Sequence, residues 1–271
     1  MEENLNQILP GLDLQSLIQF LLAFFLTSIR LSAFLIAAPL FSAGFFMVRI
    51  RVLIAMVVSI IVFSTQNVQV DVSVLTSAFG IVIIAKEIAI GATAGLILTI
   101  MFAAVTLAGE KIATSAGLSY AAQVDPVSGV QTPVVSQILA LFLLAIFISV
   151  DGHLAALRIL IESYDFVPIG TLSAPSALIQ GGMEASGSMF LNASIIMLPV
   201  IIIVLLINVS IGIITRSAPQ LNLFSFGFPI TILGTFIILY FSLDSLAYAF
   251  SDLVNASLDH LMMTIMGLEN G

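Results

Sequence analysis

No cysteine occurs among the 271 residues, which excludes disulfides, thiolate metal sites and cysteine nucleophiles. Charge is almost as scarce. Only 8% of the residues are Asp, Glu, Lys or Arg, where a soluble domain carries about a quarter. The seven Lys and Arg are too few to build the basic patch that nucleic acid requires, so no nucleic-acid partner is expected. The usual signatures of catalysis are missing too: the chain has no HExxH, no P-loop, no dinucleotide glycine fingerprint and no nucleophile elbow. Catalysis by this chain, and a bound cofactor or metal, are not expected.

Apolar side chains are abundant instead. Sixty per cent of the residues are hydrophobic, and the mean hydropathy is +1.22. Apolar runs lie at roughly Leu12–Ala38, Val48–Ser64, Val72–Ala108, Val134–Glu162, Ser176–Ile214 and Leu223–Phe250, most at or above the ~20 residues that cross a bilayer core as a helix. In hydrocarbon every backbone amide must be paired within the protein, so such runs are helices unless they close into a barrel. The strict alternation of barrel strands is not there. The fold class read from these runs is all-α, a membrane-type protein of about six long apolar helices forming a single helical domain over residues 1–271. The start, "MEENLNQILPGLDLQSL", has acidic residues where a secretory signal has a basic region, so the first run is expected to be retained.

The breaks between runs carry turn chemistry: Pro39, "STQNVQVD", "VPIGTLSAPS" and "RSAPQLN". Lys and Arg collect in short cytoplasmic loops. Arg49 and Arg51 fall in the first connection, Lys111 in the third and Arg216 in the fifth, while connections two and four hold mainly Asp and Glu. This alternation fits six crossings with both ends outside.

Two runs are longer than a plain span. Val72–Ala108 contains Lys86 and Glu87, and Ser176–Ile214 contains Pro199 and Asn208. Charges at bilayer depth are costly and face protein or water. Adjacent residues on a helix point in different directions, so Lys86 and Glu87 need partners elsewhere. Pro199 removes one backbone hydrogen bond and is expected to kink its helix. Asn208 reads either as a buried helix-to-helix hydrogen bond or as the lining of a polar path. Gly91 and Gly95 in "GATAG" allow two helix backbones to approach closely, within the chain or between subunits. His153, beside Asp151 in "DGHLAAL", reads as a polar cap at a helix end more readily than as half of a proton relay. Arg216 closes the fifth run near its negative dipole end, and Pro219 stops it.

The stretch "GEKIATSAGLSYAAQVDPVSGVQTP", from Gly109 to Pro133, is too polar to cross a bilayer easily and too weakly charged for an ordinary solvated loop. Connections so long are uncommon and often functional. By composition alone it reads as a cytoplasmic loop with a short helix.

Four local patterns in register resemble one family: "APLFSAGFFMVRIRV", "AGEKIATSAGLSYAAQVDP" leading to "TPVVSQ", "DGHLAALRILIESYDFVPIG", and "RSAPQLNLFSFGFPI". They resemble the FliR family of flagellar type III export-gate subunits and, more distantly, its injectisome counterparts. The resemblance implies a subunit of the core gate of flagellar type III secretion, helping to form and close a conduit for unfolded flagellar proteins. It implies FliP-like and FliQ-like subunits as partners in a hetero-oligomer, with other export-apparatus proteins, at the bacterial inner membrane in the flagellar basal body. It also implies a FliP-like part over residues 1–175, a FliQ-like part over 176–271, and kinked helical hairpins buried against neighbours. Finally, it places the Gly109–Pro133 stretch in the conduit. The residues concerned are Gly109, Glu110, Ile112, Gly117, Leu118, Tyr120, Asp125 and Pro126, with residues 110–122 as a movable plug. The rival reading from residues alone is a small-solute or ion transporter using Lys86, Glu87 and Asn208, but the matched interrupted helices of such folds are not evident.

Overall fold

The structure, a computed structural model, describes residues 14–42, 47–65, 78–118, 133–171, 176–218, 220 and 226–268. Among these the chain is helical throughout, as α1 (Leu14–Ala37), α2 (Pro39–Ser42), α3 (Val48–Thr65), α4 (Ala78–Ser115), α5 (Val134–Ser149), α6 (Gly152–Phe166), α7 (Ser176–Ser217), α8 (Phe228–Phe241) and α9 (Leu243–Gly267). The described part of each of the six apolar runs is helix, broken once in the fourth and once in the sixth. The all-α class is therefore as expected.

The detail lies in where the runs break. Pro199 and the Lys86–Glu87 pair do not interrupt their helices: α7 runs 42 residues through Pro199, and α4 runs 38 residues through both charges. The breaks fall in the fourth and sixth runs instead. Between α5 and α6, Asp151 takes a positive φ of 56°, and the next residue must be glycine, because a Cβ at Gly152 would lie 2.5 Å from the Phe147 ring. Between α8 and α9 the direction changes by 65°. Ser242 ends one helix through its N–H to the Ile238 carbonyl, and its own carbonyl accepts from Leu246 to begin the next. Asp244 stands in the first turn of α9, where a carboxylate favours the positive helix end.

Among the described residues three helices are long and apolar enough to cross a membrane, and up to five if each broken run is counted as one span. The sixth expected crossing is α3. Its 18 residues, Val48–Thr65, carry Arg49 and Arg51 in the first turn, and the residues that follow lie outside those described.

By compactness the chain divides into two units, residues 1–99, 153–184 and 258–271 in the first and 100–152 and 185–257 in the second. In the first, α1 contributes a stripe at helical spacing (Leu31, Phe34, Leu35, Ala38) that packs with Ala55 and Val62 of α3, Ala94 and Leu98 of α4, Leu160 and Tyr164 of α6, and Leu261 and Ile265 of α9. In the second, Phe102 meets Phe147 edge-on at 5.0 Å, and the rings of Phe142 and Phe250 lie 5.5 Å apart.

Candidate functional site

The strongest concentration of polar chemistry lies inside the first unit. Arg30 and Glu87, both fully buried, occupy core-facing positions on α1 and α4. The Arg30 Nε donates to Glu87 Oε2 at 2.6 Å. Its Nη1 donates to the Ser163 carbonyl at 3.0 Å and to the Ser163 hydroxyl at 2.9 Å, and its Nη2 donates to the Val167 carbonyl at 2.9 Å. The guanidinium also lies over the Tyr164 ring, 4.1 Å from its centre, and the Tyr164 hydroxyl donates to the Thr27 carbonyl at 2.8 Å. One arginine thus ties three helices together through its planar fork, a geometry that lysine does not offer.

Lys86 extends the cluster. Its Nζ donates to the Thr171 carbonyl at 2.6 Å and to the Pro168 carbonyl at 3.3 Å, and it stands 3.9 Å from Glu87 Oε1. Arg30 and Lys86 together donate to carbonyls at and just beyond the end of α6, where the helix dipole is negative. The expectation that Lys86 and Glu87 find partners elsewhere holds. The partner that sequence reading missed is Arg30. A signal was present, because Arg30 falls in register with Leu26 and Phe34 on the apolar stripe of α1, and Glu87 falls in register with Ile83, Ile90 and Ala94 on α4. Two opposite charges on two core stripes point to one another.

Gly91 and Gly95 serve packing within the chain. A Cβ at Gly91 would sit 2.1 Å from the Arg30 carbonyl oxygen, and one at Gly95 would come within 2.8 Å of both the Phe34 carbonyl oxygen and the Ala38 nitrogen. The two glycines let α4 lie directly against the backbone of α1, which is what brings Glu87 within reach of Arg30.

The second unit holds the residues read as a conduit loop. The structure makes the first part of that stretch helix: α4 continues through Gly109, Glu110 and Ile112 to Ser115. Composition suggested a loop with a short helix; Ile112, Ala113 and Ala116 are fully buried, and Gly109 lies so close to α5 that a Cβ would come 2.5 Å from the Ser136 Cα. Burial of these small side chains carries the helix on. It then stops at Gly117, whose φ of +82° is the left-handed conformation that glycine adopts at helix ends. A Cβ there would meet the Phe228 ring at 2.8 Å, and Leu118 is half-buried beside it. Tyr120, Asp125 and Pro126 lie outside the described residues.

Asn208 links this helix end to its neighbours. Its Nδ2 donates to the Ser115 carbonyl at 3.1 Å, and its Oδ1 accepts from the Thr231 hydroxyl at 3.0 Å. The helix-to-helix hydrogen bond expected of Asn208 exists, but Asn208 is exposed rather than buried, because it sits at the end of α4 and not between helix flanks. Arg216 lies in the last turn of α7, as its dipole reading requires. Pro219 is outside the described residues.

A sequence profile of the bacterial export proteins, family 1, matches residues 21–257. The chain belongs to this family. It is 32% identical over 209 residues to the flagellar biosynthetic protein FliR of Escherichia coli (strain K12), covering 77% of this chain and 79% of that one. It is 31% identical over 238 residues to FliR of Bacillus subtilis (strain 168), covering 83% and 88%. The surface presentation of antigens protein SpaR of Shigella flexneri is 27% identical over 210 residues, covering 77% and 80%. The FliR resemblance seen in the four local patterns is borne out over most of the chain.

Proposed function

We propose that this chain is a subunit of the core export gate of flagellar type III secretion, acting without catalysis of its own to help form and close a conduit for unfolded flagellar proteins. Beyond family membership, the observation that carries this reading is the mismatch between helix length and bilayer thickness. With 42 residues, α7 is ~63 Å long, about twice the ~30 Å hydrocarbon core. Its exposed apolar residues run from Ile179 through Phe190, Ile202 and Val209 to Ile214, and only 22% of an 18-residue apolar stretch of it is buried within the chain. Lipid alone does not cover so long a face. Neighbouring protein helices do, which suits a subunit built into a hetero-oligomer.

In this reading the partners are FliP-like and FliQ-like chains, with residues 1–175 the FliP-like part and 176–271 the FliQ-like part. The assembly sits in the inner membrane at the flagellar basal body, with both ends of this chain on the outer side. The plug lies within residues 110–122. Its support is the firm anchorage of the end of α4 by Asn208 and by the packing of Phe228 on Gly117, which fixes where the following segment starts. The transporter reading has no comparable support, since Lys86 and Glu87 are engaged by Arg30 and the carbonyls beyond α6.

Purification of the tagged chain from its own membranes in mild detergent tests the proposal. FliP-like and FliQ-like chains should come with it in fixed ratio. Recovery as a lone chain or a symmetric homo-oligomer would overturn the gate reading.

A further inference from the structure

The connection from α6 to α7 starts with a turn that packing holds only weakly. The Thr171 N–H donates to the Pro168 carbonyl at 3.3 Å, and Gly170, in third place, has a φ of 92°, as a type II turn requires there. Ile169 rests partly on the core, but Pro168 and Thr171 are exposed, and a Cβ at Gly170 would meet no atom within 4 Å. An ammonium grips this turn from α4. Lys86 Nζ donates to the Thr171 carbonyl at 2.6 Å, to the Pro168 carbonyl at 3.3 Å and to the Thr171 hydroxyl at 3.4 Å, one acceptor for each N–H that an ammonium carries.

A fourth acceptor stands behind the ammonium. Glu87 Oε1 is buried and accepts no hydrogen bond, because Arg30 Nε binds the other oxygen, and it lies 3.9 Å from Lys86 Nζ. A displacement of about 1 Å would close that gap to the ~2.9 Å of a hydrogen bond. A buried carboxylate oxygen without a donor is unfavourable, so Lys86 is drawn to two seats and cannot fill both with three N–H groups. We propose that Lys86 is a two-seat latch on the connection between α6 and α7. Seated on the Pro168–Thr171 turn, it fixes the direction in which the chain leaves α6 toward Ser176. Seated on Glu87 Oε1, it lets the turn open while the Arg30–Glu87 pair stays closed. The latch places an adjustable joint at the root of the helix whose apolar length neighbouring chains cover. That use of the joint rests on the export-gate reading; the latch itself does not.

Amide hydrogen exchange tests the latch, read by mass on peptides of this chain within the purified complex. Ile169, Gly170 and Thr171 are the reporters, and the interior of α6 is the internal standard. Lys86→Met keeps the length of the stem and removes the ammonium, so exchange in the turn should rise at least about tenfold while the interior of α6 stays within about twofold of the parent. Glu87→Gln removes the second seat. Arg30 Nε can only donate, so the amide oxygen of Gln turns to it and the amide NH2 faces Lys86; the turn should then exchange at least about threefold more slowly than in the parent. Lys86→Arg should slow it likewise, because the guanidinium fork spans turn and carboxylate together. Unchanged turn exchange in Lys86→Met would overturn the latch, and so would an equal rise throughout α6, the mark of a general support of the fold. Turn exchange at or above the parental rate in Lys86→Arg or Glu87→Gln, whichever accumulates, would overturn the second seat. Absence of FliP-like and FliQ-like chains from the purified material would count against the export-gate reading and would leave each of these exchange results readable.

Discussion

Replacing Arg30 by Met removes the fork that binds three helices while keeping most of its volume. The change leaves the Glu87 carboxylate fully buried, with only Lys86 nearby at 3.9 Å. Breaking one side of a buried ion pair costs about 3–5 kcal/mol. The Val167 carbonyl also loses the donor that Arg30 supplies, while the Ser163 carbonyl keeps the Val167 N–H, and an unsatisfied buried group adds about 1–3 kcal/mol. These contributions overlap, so about 4 kcal/mol is a reasonable total, a large share of the 5–15 kcal/mol by which folded proteins exceed their unfolded state. For a chain of this size each kcal/mol moves the melting temperature by roughly 2–4 °C. The Arg30→Met complex, purified in detergent, should therefore melt at least about 8 °C below the parent, or fail to accumulate. The double variant Arg30→Met with Glu87→Leu removes the orphaned charge and should recover part of the loss, because apolar replacement of a buried pair is often near neutral. Arg30→Lys should fall between parent and Arg30→Met, as one ammonium cannot reach all three partners. A single variant melting within about 2 °C of the parent, or a double variant no better than the single, would refute the reasoning.

Gly91→Leu should lower complex yield severely, since even a Cβ collides with the Arg30 carbonyl and overpacking costs about 1–3 kcal/mol per site; the amount of assembled gate in membranes measures it. Gly117→Asp places a side chain at a positive φ and against Phe228, and should impair sealing or passage, read as ion conductance of the resting cell and as export; a tight and fully active gate would return the segment to a passive role. Asn208→Leu should loosen the end of α4 while leaving the Arg30 cluster intact, so that assembly persists and small-solute leakage rises. Pro219→Leu should let α7 run on past Ser217 and reduce assembly, with normal complex yield and motility contradicting this.

The helices were legible because their cause is local. Runs such as Ser176–Ile214 are too apolar and too long to be anything else in a membrane-type chain, and their ends carry proline or polar turns. The need of Lys86 and Glu87 for outside partners was legible for the same reason, as adjacent helical residues diverge. Arg30 was not found because its role depends on which stripe of α1 meets which stripe of α4, and that is set by Gly91 and Gly95 allowing close approach. The helical course of residues 109–115 was hidden because their composition resembles a loop. It is the burial of Ile112 and Ala113 and the contact of Gly109 with α5 that decide it. This changes how the plug must be tested. Deleting residues from 110–116 would damage packing, so shortening has to start beyond Leu118. The breaks at Gly152 and Ser242 had weak signals, a glycine after Asp151 and a serine two residues before Asp244, inside runs whose hydropathy reads as continuous. Pro199 shows the converse, since α7 accommodates it without ending.

The central claim is that this chain belongs to the gate through which flagellar proteins leave the cell. Its most direct test is secretion by cells that lack it. Cells without the chain should keep hook and filament proteins inside, release none into the medium and grow no flagella, with export restored by the intact chain and not by Arg30→Met. Flagellar proteins appearing in the medium at parental levels in its absence would contradict the account.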